Sequence, residues 1–391
     1  MPPPSPPASL QALADRYEPE IFDPGDRRVR VRLQGAGDGE WDAVLDDGLA
    51  LLEPAPPGDT PAPDAILAAD PATWATLASD LRTGMEAFRA GRLAVRRDLH
   101  LGVGFLAATA GDRAAGALRF RRVATAAGEI STMQAGAGPP VVLLHGLGAS
   151  KASFLPTLGA LAPHHRVIAI DLPGFGDSDK PIGGAYDAAF FARAVVALLD
   201  ALELPRAALV GNSMGGRVAL EVGLAHPDRA GRLVLLAPSL AWLRDRPWAP
   251  LLRLVPPQLG LLQPAPRGIV EAIARRAVPG GGSGWTAAGV DEFLRGYLDP
   301  RGRAAFYAAA RNIYLEEPHG PDGFWTRLPG LEAPSLFVWG RQDPLVPLAF
   351  ARHVRSALPG ARHMELGCGH VPQLERPREV HDAMVRFLRR P

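Results

Sequence analysis

The stretch Ala-Leu-Val-Gly-Asn-Ser-Met-Gly-Gly, residues 208–216, decides the fold of this chain. A short apolar run ends at Gly-x-Ser-x-Gly, and a segment of helical character, Arg217 to Ala225, follows it. The order is therefore strand, tight turn and helix, with Ser213 at the turn. Glycine two residues before and after Ser213 avoids the clash that a Cβ would cause in so sharp a turn. The same five-residue pattern also occurs by chance, so a nucleophilic Ser213 requires a base, an acid and oxyanion donors elsewhere.

The composition bounds the class of protein. The chain has 391 residues, 47% hydrophobic and 21% charged, which is enough for two domains with their own cores. A formal net charge of +1 is not the basic excess typical of nucleic-acid-binding proteins. The single cysteine, Cys368, excludes an intrachain disulfide and fits a reducing compartment. No signal-peptide pattern and no apolar run of transmembrane length is present, so we expect a cytoplasmic protein.

Continuous apolar runs alternate with helical patterns in the second part of the chain. The runs are Val141–Leu144, Val167–Ile170, Ala207–Val210, Leu233–Leu236 and Ser335–Trp339. Unbroken runs this short predict strands that are buried on both faces, as in a parallel sheet. Together with the helices between them, they predict a doubly wound α/β domain over residues 117–391. Residues from about 240 to 331 are rich in proline and too long for a crossover, and we interpret them as a helical lid above the carboxyl edge of the sheet.

The candidate base and its partner follow the last two strands. His370 lies in a glycine-flanked loop after the candidate strand Arg362–Leu366, where an open α/β sheet places its chemistry. Asp343 ends the strand before it, in an Asp-Pro turn that also suits the start of a helix. In this arrangement Asp343 would orient His370 and stabilise its imidazolium form.

An oxyanion hole needs two fixed N–H donors. The turn at Ser213 supplies the backbone N–H of Met214. The loop His145-Gly146-Leu147-Gly148 follows the first parallel strand, and we expect Leu147 N–H to be the second donor and His145 to be structural. The sequence has no cysteine/histidine cluster with metal spacing and no phosphate-binding loop, so we expect neither a metal nor a cofactor.

Five motifs stand in a fixed order along this part of the chain. They are His-Gly-Leu-Gly (145–148), Asp-Leu-Pro-Gly-Phe-Gly-Asp-Ser (171–178), Gly-Asn-Ser-Met-Gly-Gly (211–216), Gly-Arg-Gln-Asp (340–343) and Gly-His-Val-Pro-Gln-Leu-Glu (369–375). Together they resemble the α/β-hydrolase superfamily over residues 119–390. The resemblance implies that Ser213 is the nucleophile, His370 the general base and acid, and Asp343 its partner. Serine at the turn disfavours the branches of the superfamily that use an aspartate nucleophile.

The first part of the chain has a different pattern. Residues 1–20 are predicted to be a proline-rich flexible tail, and residues 21–112 a small α+β domain. Alternating Val29–Leu33 predicts a half-buried strand, and Asp46-Asp47-Gly48 a hairpin turn. The small residues 110–117 mark the boundary to the second domain.

Two segments of this domain resemble the sterol-carrier-protein-2 (SCP2) family. They are residues 65–74, a strand that leads into a helix with Trp74, and residues 85–95. Arg97 departs from the family pattern, which usually has glycine there. The resemblance implies a lipid- or acyl-binding cavity closed by a terminal helix. A domain used only for packing or dimerisation is the alternative.

Taken together, the sequence predicts a serine hydrolase that cleaves carboxylic esters, of small-molecule acyl or lipid-like substrates, through an acyl-enzyme. Gly-Asn-Ser-Met-Gly-Gly also resembles hydrolases that cleave a C–C bond in meta-cleavage products, although those usually have an aromatic residue where Val371 stands. An acyltransferase or perhydrolase would use the same three residues. A lipid carrier without an enzymatic role is the alternative from another class. The oligomeric state stays open.

Overall fold

The computed structural model describes residues 5–25, 27–37, 39–79, 84–110, 118–241, 256, 259–262, 264–277 and 284–389. The chain divides into two compact units. The first unit comprises Met1–Arg121 and Gly280–Arg295, and the second comprises Arg122–Pro279 and Gly296–Pro391. Except for Ala110, the predicted linker lies outside the described residues, as do parts of the predicted lid.

The first unit contains a five-stranded sheet. Its strands are β1 Val29–Gln34, β2 Trp41–Asp46, β3 Leu49–Pro54, β4 Ala65–Ala69 and β5 Leu93–Arg96, and the helices of the same part of the chain are α1 Ala8–Ala14, α2 Pro71–Ser79, α3 Gly84–Arg89 and α4 Leu99–Ala108. The sheet order is β3-β2-β1-β4-β5, with β1 and β4 parallel. Helix α2 begins where predicted, because the Asp70 carboxylate accepts the N–H of Thr73 at 2.7 Å and Pro71 stands at the first helical position.

The prediction of a flexible tail over residues 1–20 is wrong for its second half. Residues 8–14 form α1, in which Leu10 and Leu13 are fully buried. Their spacing of three residues places both leucines on one face of the helix. Burial of each leucine contributes about 1.5–3 kcal/mol, so the folded unit begins inside the predicted tail.

Part of the predicted lid belongs to the first unit. Helix α10, Gly284–Leu298, reaches the connection between β5 and α4. The Asp291 carboxylate accepts the Nε–H of Arg96 at 2.6 Å and the backbone N–H of Arg97 at 2.8 Å. Glu292 accepts the backbone N–H of Leu99 at 3.0 Å, at the start of α4. These contacts explain why residues 280–295 group with the first unit and not with the rest of the lid segment.

The second unit is built on an eight-stranded sheet. Its strands are β6 Arg119–Thr125 (which begins in the first unit), β7 Gly128–Ala135, β8 Pro140–Leu144, β9 Arg166–Ile170, β10 Ala207–Asn212, β11 Ala230–Leu236, β12 Ser335–Gly340 and β13 Arg362–Leu366. The order is β13-β12-β11-β10-β8-β9-β7-β6. Strands β8 to β13 are parallel to one another, and β7 is antiparallel to β9. The mostly parallel α/β sheet that the apolar runs predict is confirmed.

Helices connect these strands. They are α5 Leu155–Leu161, α6 Ala188–Ala201, α7 Met214–Ala225, α8 Leu259–Leu262, α9 Arg267–Ala277, α10, α11 Pro300–Tyr314, α12 Phe324–Arg327, α13 Ala351–Ala357, α14 Pro372–Glu375 and α15 Pro377–Leu388. Between β11 and β12, the described residues form helices and turns and no strand. Within the part of the chain that the structure describes, we find no helix long and apolar enough to cross a membrane.

Candidate active site

Ser213 occupies a strained turn between β10 and α7. Its backbone has φ 52° and ψ −115°, a combination that residues other than glycine rarely adopt. A Cβ on Gly211 would overlap the carbonyl oxygen of Gly215, and a Cβ on Gly215 would overlap that of Leu144. The glycines that the sequence pattern requires are therefore needed for the close approach of three backbone segments. A hydrogen bond of 2.9 Å from Ser213 N to Leu236 O holds the turn against β11.

His370 and Asp343 form a fixed pair. Asp343 follows β12, and His370 lies in the loop between β13 and α14. The Nδ1 atom of His370 lies 2.8 Å from Oδ2 of Asp343, and both side chains are buried. The other carboxylate oxygen accepts the backbone N–H groups of Leu345 at 2.8 Å and Val346 at 2.9 Å. Because an ionised carboxylate only accepts hydrogen bonds, we assign the proton of the neutral imidazole to Nδ1, which leaves Nε2 as a base.

The nucleophile candidate and the base candidate are not hydrogen-bonded to each other. Among the described residues, the hydroxyl of Ser213 bonds instead to Oγ of Ser239, at 3.3 Å. Asn212, which precedes Ser213, donates its side-chain amide to the carbonyl oxygen of His370 at 3.1 Å. The turn and the histidine loop are thus directly joined. Catalytic hydrogen bonds commonly tighten only when the substrate binds, so this geometry is compatible with proton transfer from Ser213 to His370.

The loop after β8 passes beside Ser213. A Cβ on Gly146 would lie 3.3 Å from Cβ of Ser213, which is a tight contact, so the loop passes directly beside this side chain. Leu147 follows in that loop, and Met214 is the first residue of α7, whose N–H has no intrahelical partner. The two predicted oxyanion donors therefore belong to the two backbone segments next to the Ser213 side chain.

His145 shapes the same loop from inside the protein. It is fully buried, its Nε2 accepts the backbone N–H of Leu172 at 3.0 Å, and its Nδ1 lies 2.7 Å from the carbonyl oxygen of Gly146. Both bonds require the neutral ring with the proton on Nδ1. His145 therefore connects the loops after β8 and β9, and both of its ring nitrogens are engaged in this connection.

A buried ion cluster fixes these loops further. The ammonium group of Lys151 lies 2.6 Å from Asp171 and 3.0 Å from Asp177. Burial alone would raise the pKa of Asp171, but the charge of Lys151 and the N–H of Asp177 hold that pKa below its usual value. Asp171 stays ionised and also accepts the backbone N–H of Lys151 at 2.7 Å.

Two residues of the site escaped the sequence analysis. Asn212 and Ser239 are uncharged, and neither stands in a spacing that marks it as a functional residue. The order of the strands in the sheet could have identified both residues. Because β10 and β11 are neighbouring parallel strands, the residues just after them meet at one edge of the sheet.

A second polar cluster lies on α7. The fully buried guanidinium of Arg217 donates to Glu221 at 2.7 Å and to Glu316 at 2.6 Å. Arg327 donates to both carboxylate oxygens of Glu221 at 2.9 Å. Burial opposes ionisation of Glu221, but the two arginines prevail and lower its pKa to about 2. Glu221, Glu316 and Arg327 line a cavity of about 460 Å³ together with Arg311.

The fold of the second unit has counterparts among known proteins. Residues 139–377, more than half of the chain, match the family model of the α/β hydrolase fold. Over 271 residues the chain is 30% identical to the 2-hydroxy-6-oxo-6-phenylhexa-2,4-dienoate hydrolase of Comamonas testosteroni, covering 66% of this chain and 90% of that protein.

Solved structures show the same fold. A hydrolase from Pseudomonas aeruginosa PA01 is similar with a TM-score of 0.59 and 26% identity, over 71% of this chain and 100% of that one. The enol-lactonase from Burkholderia xenovorans LB400 is similar with a TM-score of 0.57 and 25% identity, over 69% of this chain and 100% of that one. With its parallel sheet and a serine at the turn after β10, the chain belongs to the α/β-hydrolase family.

Proposed function

We propose that this chain is a serine hydrolase that cleaves carboxylic esters of acyl or lipid-like compounds through an acyl-enzyme. The observation that carries the proposal is the strained position of Ser213 beside the fixed His370–Asp343 pair. A serine held in this way has its hydroxyl at the edge of the sheet where parallel strands end, and a histidine whose tautomer is fixed by a carboxylate is the base that such a serine needs.

The proposed reaction has two steps. Nε2 of His370 takes the proton of the Ser213 hydroxyl while Oγ attacks the carbonyl carbon of the ester. The N–H groups of Leu147 and Met214 hold the oxyanion, and His370 then gives the proton to the departing alcohol. In the second step His370 removes a proton from water as it attacks the acyl carbon; the bond from that carbon to Oγ then breaks, and His370 returns the proton to Oγ of Ser213 as the acid leaves. Asp343 stabilises the imidazolium in both steps.

The test is the hydrolysis of p-nitrophenyl esters of increasing acyl length by the full chain. We expect turnover that Ser213→Ala abolishes, together with a covalent acyl adduct on the peptide that contains Ser213. Turnover that persists in Ser213→Ala would refute the proposal, as would no turnover at any acyl length.

A second candidate is the hydrolysis of a C–C bond. The similarity to the Comamonas testosteroni enzyme favours it, because the compound in that enzyme's name is a 6-oxo-dienoate without an ester bond. The residue after His370 is Val371, which lacks the aromatic ring expected for such enzymes. The test is the loss of the visible absorbance of a 2-hydroxy-6-oxo-dienoate. A turnover number above that for every ester would favour this second candidate.

The insert between β11 and β12 is the proposed lid. Helices α8, α9, α11 and α12 support this proposal, since they form a helical segment that interrupts the chain between Ser239 and Asp343. Both of these residues lie where parallel strands end, which is the edge of the sheet that carries the candidate site.

For the first unit we propose an SCP2-like fold that binds a lipid or an acyl chain. The order of β4, α2 with Trp74, α3, β5 and α4 supports it. Arg97 also supports it, because its φ of 70° lies in the region that glycine adopts without strain, and the family pattern has glycine there. Native mass spectrometry of the full chain after exposure to fatty acids is the test. Recovery of ligand-free protein only would argue for a packing role.

A further inference from the structure

The hydroxyls of Ser213 and Ser239 lie 3.3 Å apart in a buried setting. Ser239 is fully buried and Ser213 is 4% exposed, so bulk water does not compete for this contact. Each hydroxyl has one proton and two lone pairs. The contact therefore has two forms, in which either Ser213 or Ser239 donates, and the two forms differ in their chemistry.

The backbone fixes this contact. Ser239 N donates to Ser213 O at 2.9 Å, and Ala237 N donates to Val338 O at 2.8 Å. A Cβ on Gly216 would lie 2.8 Å from Cβ of Pro238, so the segment after β11 also packs tightly on the first turn of α7. Ser239 is thus placed beside the nucleophile by several independent contacts.

We propose that Ser239 donates a hydrogen bond to Oγ of Ser213 and stabilises the negative charge that develops there as His370 removes the proton. The inference rests on the proposed function, since it assumes that Ser213 is the nucleophile. Donation by Ser239 leaves the proton of Ser213 available to Nε2 of His370. No covalent bond to Ser239 forms or breaks, and its own proton stays on its oxygen.

A residue that acts on the nucleophile and not on the substrate changes the rate constant and leaves binding unchanged. A hydrogen bond to a developing anion is stronger than one to a neutral group, so its removal costs more in the transition state than in the resting enzyme. Ser239→Ala is accordingly expected to slow attack by Ser213 by about 10- to 100-fold. Ser239→Thr keeps the hydroxyl and is expected to retain most of the wild-type rate.

The experiment is the labelling of the full chain with a small alkyl fluorophosphonate, which reports the reactivity of the nucleophile whatever the natural substrate. The limiting rate constant and the half-saturating probe concentration are measured at several pH values for the wild type, Ser239→Ala and Ser239→Thr, and the labelled peptide is identified by mass spectrometry. Ser335→Ala is the matched control, because Ser335 is another buried serine of this sheet whose hydroxyl bonds to Ala333 O at 2.9 Å.

The expected result for Ser239→Ala is a lower limiting rate constant with an unchanged half-saturating concentration. Ser335→Ala should have the wild-type values of both quantities and the same melting temperature as Ser239→Ala. An unchanged or higher rate constant in folded Ser239→Ala would overturn the inference, and a higher one would show that Ser239 only sequesters Ser213. Equal losses in Ser239→Ala and Ser239→Thr would show a packing role and overturn it as well. Wild-type protein that is not labelled at Ser213 would refute the proposed function, and this inference with it.

Discussion

The amide of Asn212 holds the carbonyl oxygen of His370 at 3.1 Å and that of Leu236 at 3.0 Å. One side chain thus joins the end of β10, the end of β11 and the loop that carries the candidate base. Asn212, next to the candidate nucleophile, therefore helps to position the candidate base, together with Glu375, which accepts the N–H groups on both sides of His370.

Asn212→Ala should lower activity more than binding. The variant leaves the carbonyl oxygen of His370 without this donor, at a cost of about 1–3 kcal/mol of folding stability, whereas the carbonyl oxygen of Leu236 keeps its bond from Ser213 N. Loss of this bond to the His370 backbone should reduce kcat by about 10-fold, with a small change in KM. Steady-state kinetics and thermal unfolding provide the measurement.

Asn312→Ala is the matched control for this prediction, because Asn312 also donates its amide to a backbone carbonyl, that of Ala185, but at an exposed position. It should leave kcat unchanged. Equal kinetic effects of the two variants would contradict a specific role of Asn212.

Gly215→Ala should prevent folding of the turn. The added methyl group would overlap the carbonyl oxygen of Leu144, and neither backbone segment can move without disrupting β8 or α7. We expect a protein that is insoluble or loses its cooperative unfolding transition in circular dichroism. Gly159→Ala, in helix α5 where a Cβ meets no atom within 4 Å, should instead raise stability by about 0.5–1 kcal/mol. A normally folded Gly215→Ala variant would show that the close approach is not required.

Asp343→Asn should reduce kcat by about 10⁴-fold with little change in KM. The amide that replaces the carboxylate no longer fixes the proton on Nδ1 of His370, and it does not stabilise the imidazolium. Asp187→Asn makes the same chemical change at the N-cap of α6, where asparagine caps equally well, and should be silent. Turnover of an ester substrate by each variant is the measurement. Activity within tenfold of wild type for Asp343→Asn would mean that another acid orients His370.

Glu221→Gln should destabilise the protein in a pH-dependent way. The pKa of Glu221 is about 2 in the folded protein against an ordinary value of 4.5, so ionisation of Glu221 contributes stability above pH 4.5. This contribution is lost as the pH falls from about 4.5 to 2. At pH 7 the variant should be less stable by about 3 kcal/mol, since it leaves buried Arg217 with one carboxylate fewer.

Urea unfolding at pH 7 and at pH 3 measures this effect, and the difference between variant and wild type should shrink at the lower pH. The exposed Glu332, changed to glutamine, is the control and should show no difference at either pH. A difference that stays constant or grows at pH 3 would contradict the assignment of the effect to the ionised carboxylate.

The sheet of the second unit could be predicted because most of its parallel strands can be recognised from a few consecutive residues. Runs such as Val141–Leu144 are continuous and apolar, since both faces of a parallel strand are covered. Asp343 could be named because it follows such a run, and His370 because it lies in a glycine-flanked loop after the candidate strand Arg362–Leu366; the structure brings the two together. The roles of Ser213, Leu147 and Met214 in catalysis stay predictions until turnover is measured.

Other features could not be predicted from short stretches of sequence, because they depend on contacts between distant segments. The contact of Asp291 with Arg96 joins residues 195 positions apart, and the sequence pattern of neither segment predicts that the two meet. The bond between Ser213 and Ser239 depends on the register of β10 against β11, which the apolar runs do not specify. Helix α1 lies within the predicted tail, and its two leucines are buried only in the folded unit.

Helix α10 has a consequence for how the gene can be divided. The first unit is completed by residues 280–295, which the ribosome adds long after the N-terminal segment has left the exit tunnel. A fragment that stops at the linker lacks Asp291 and Glu292, and a hydrolase expressed without the front segment carries these carboxylates with no Arg96 or Leu99 to receive them. Division of the chain at the linker would therefore separate Asp291 and Glu292 from the groups of the first unit that they bind.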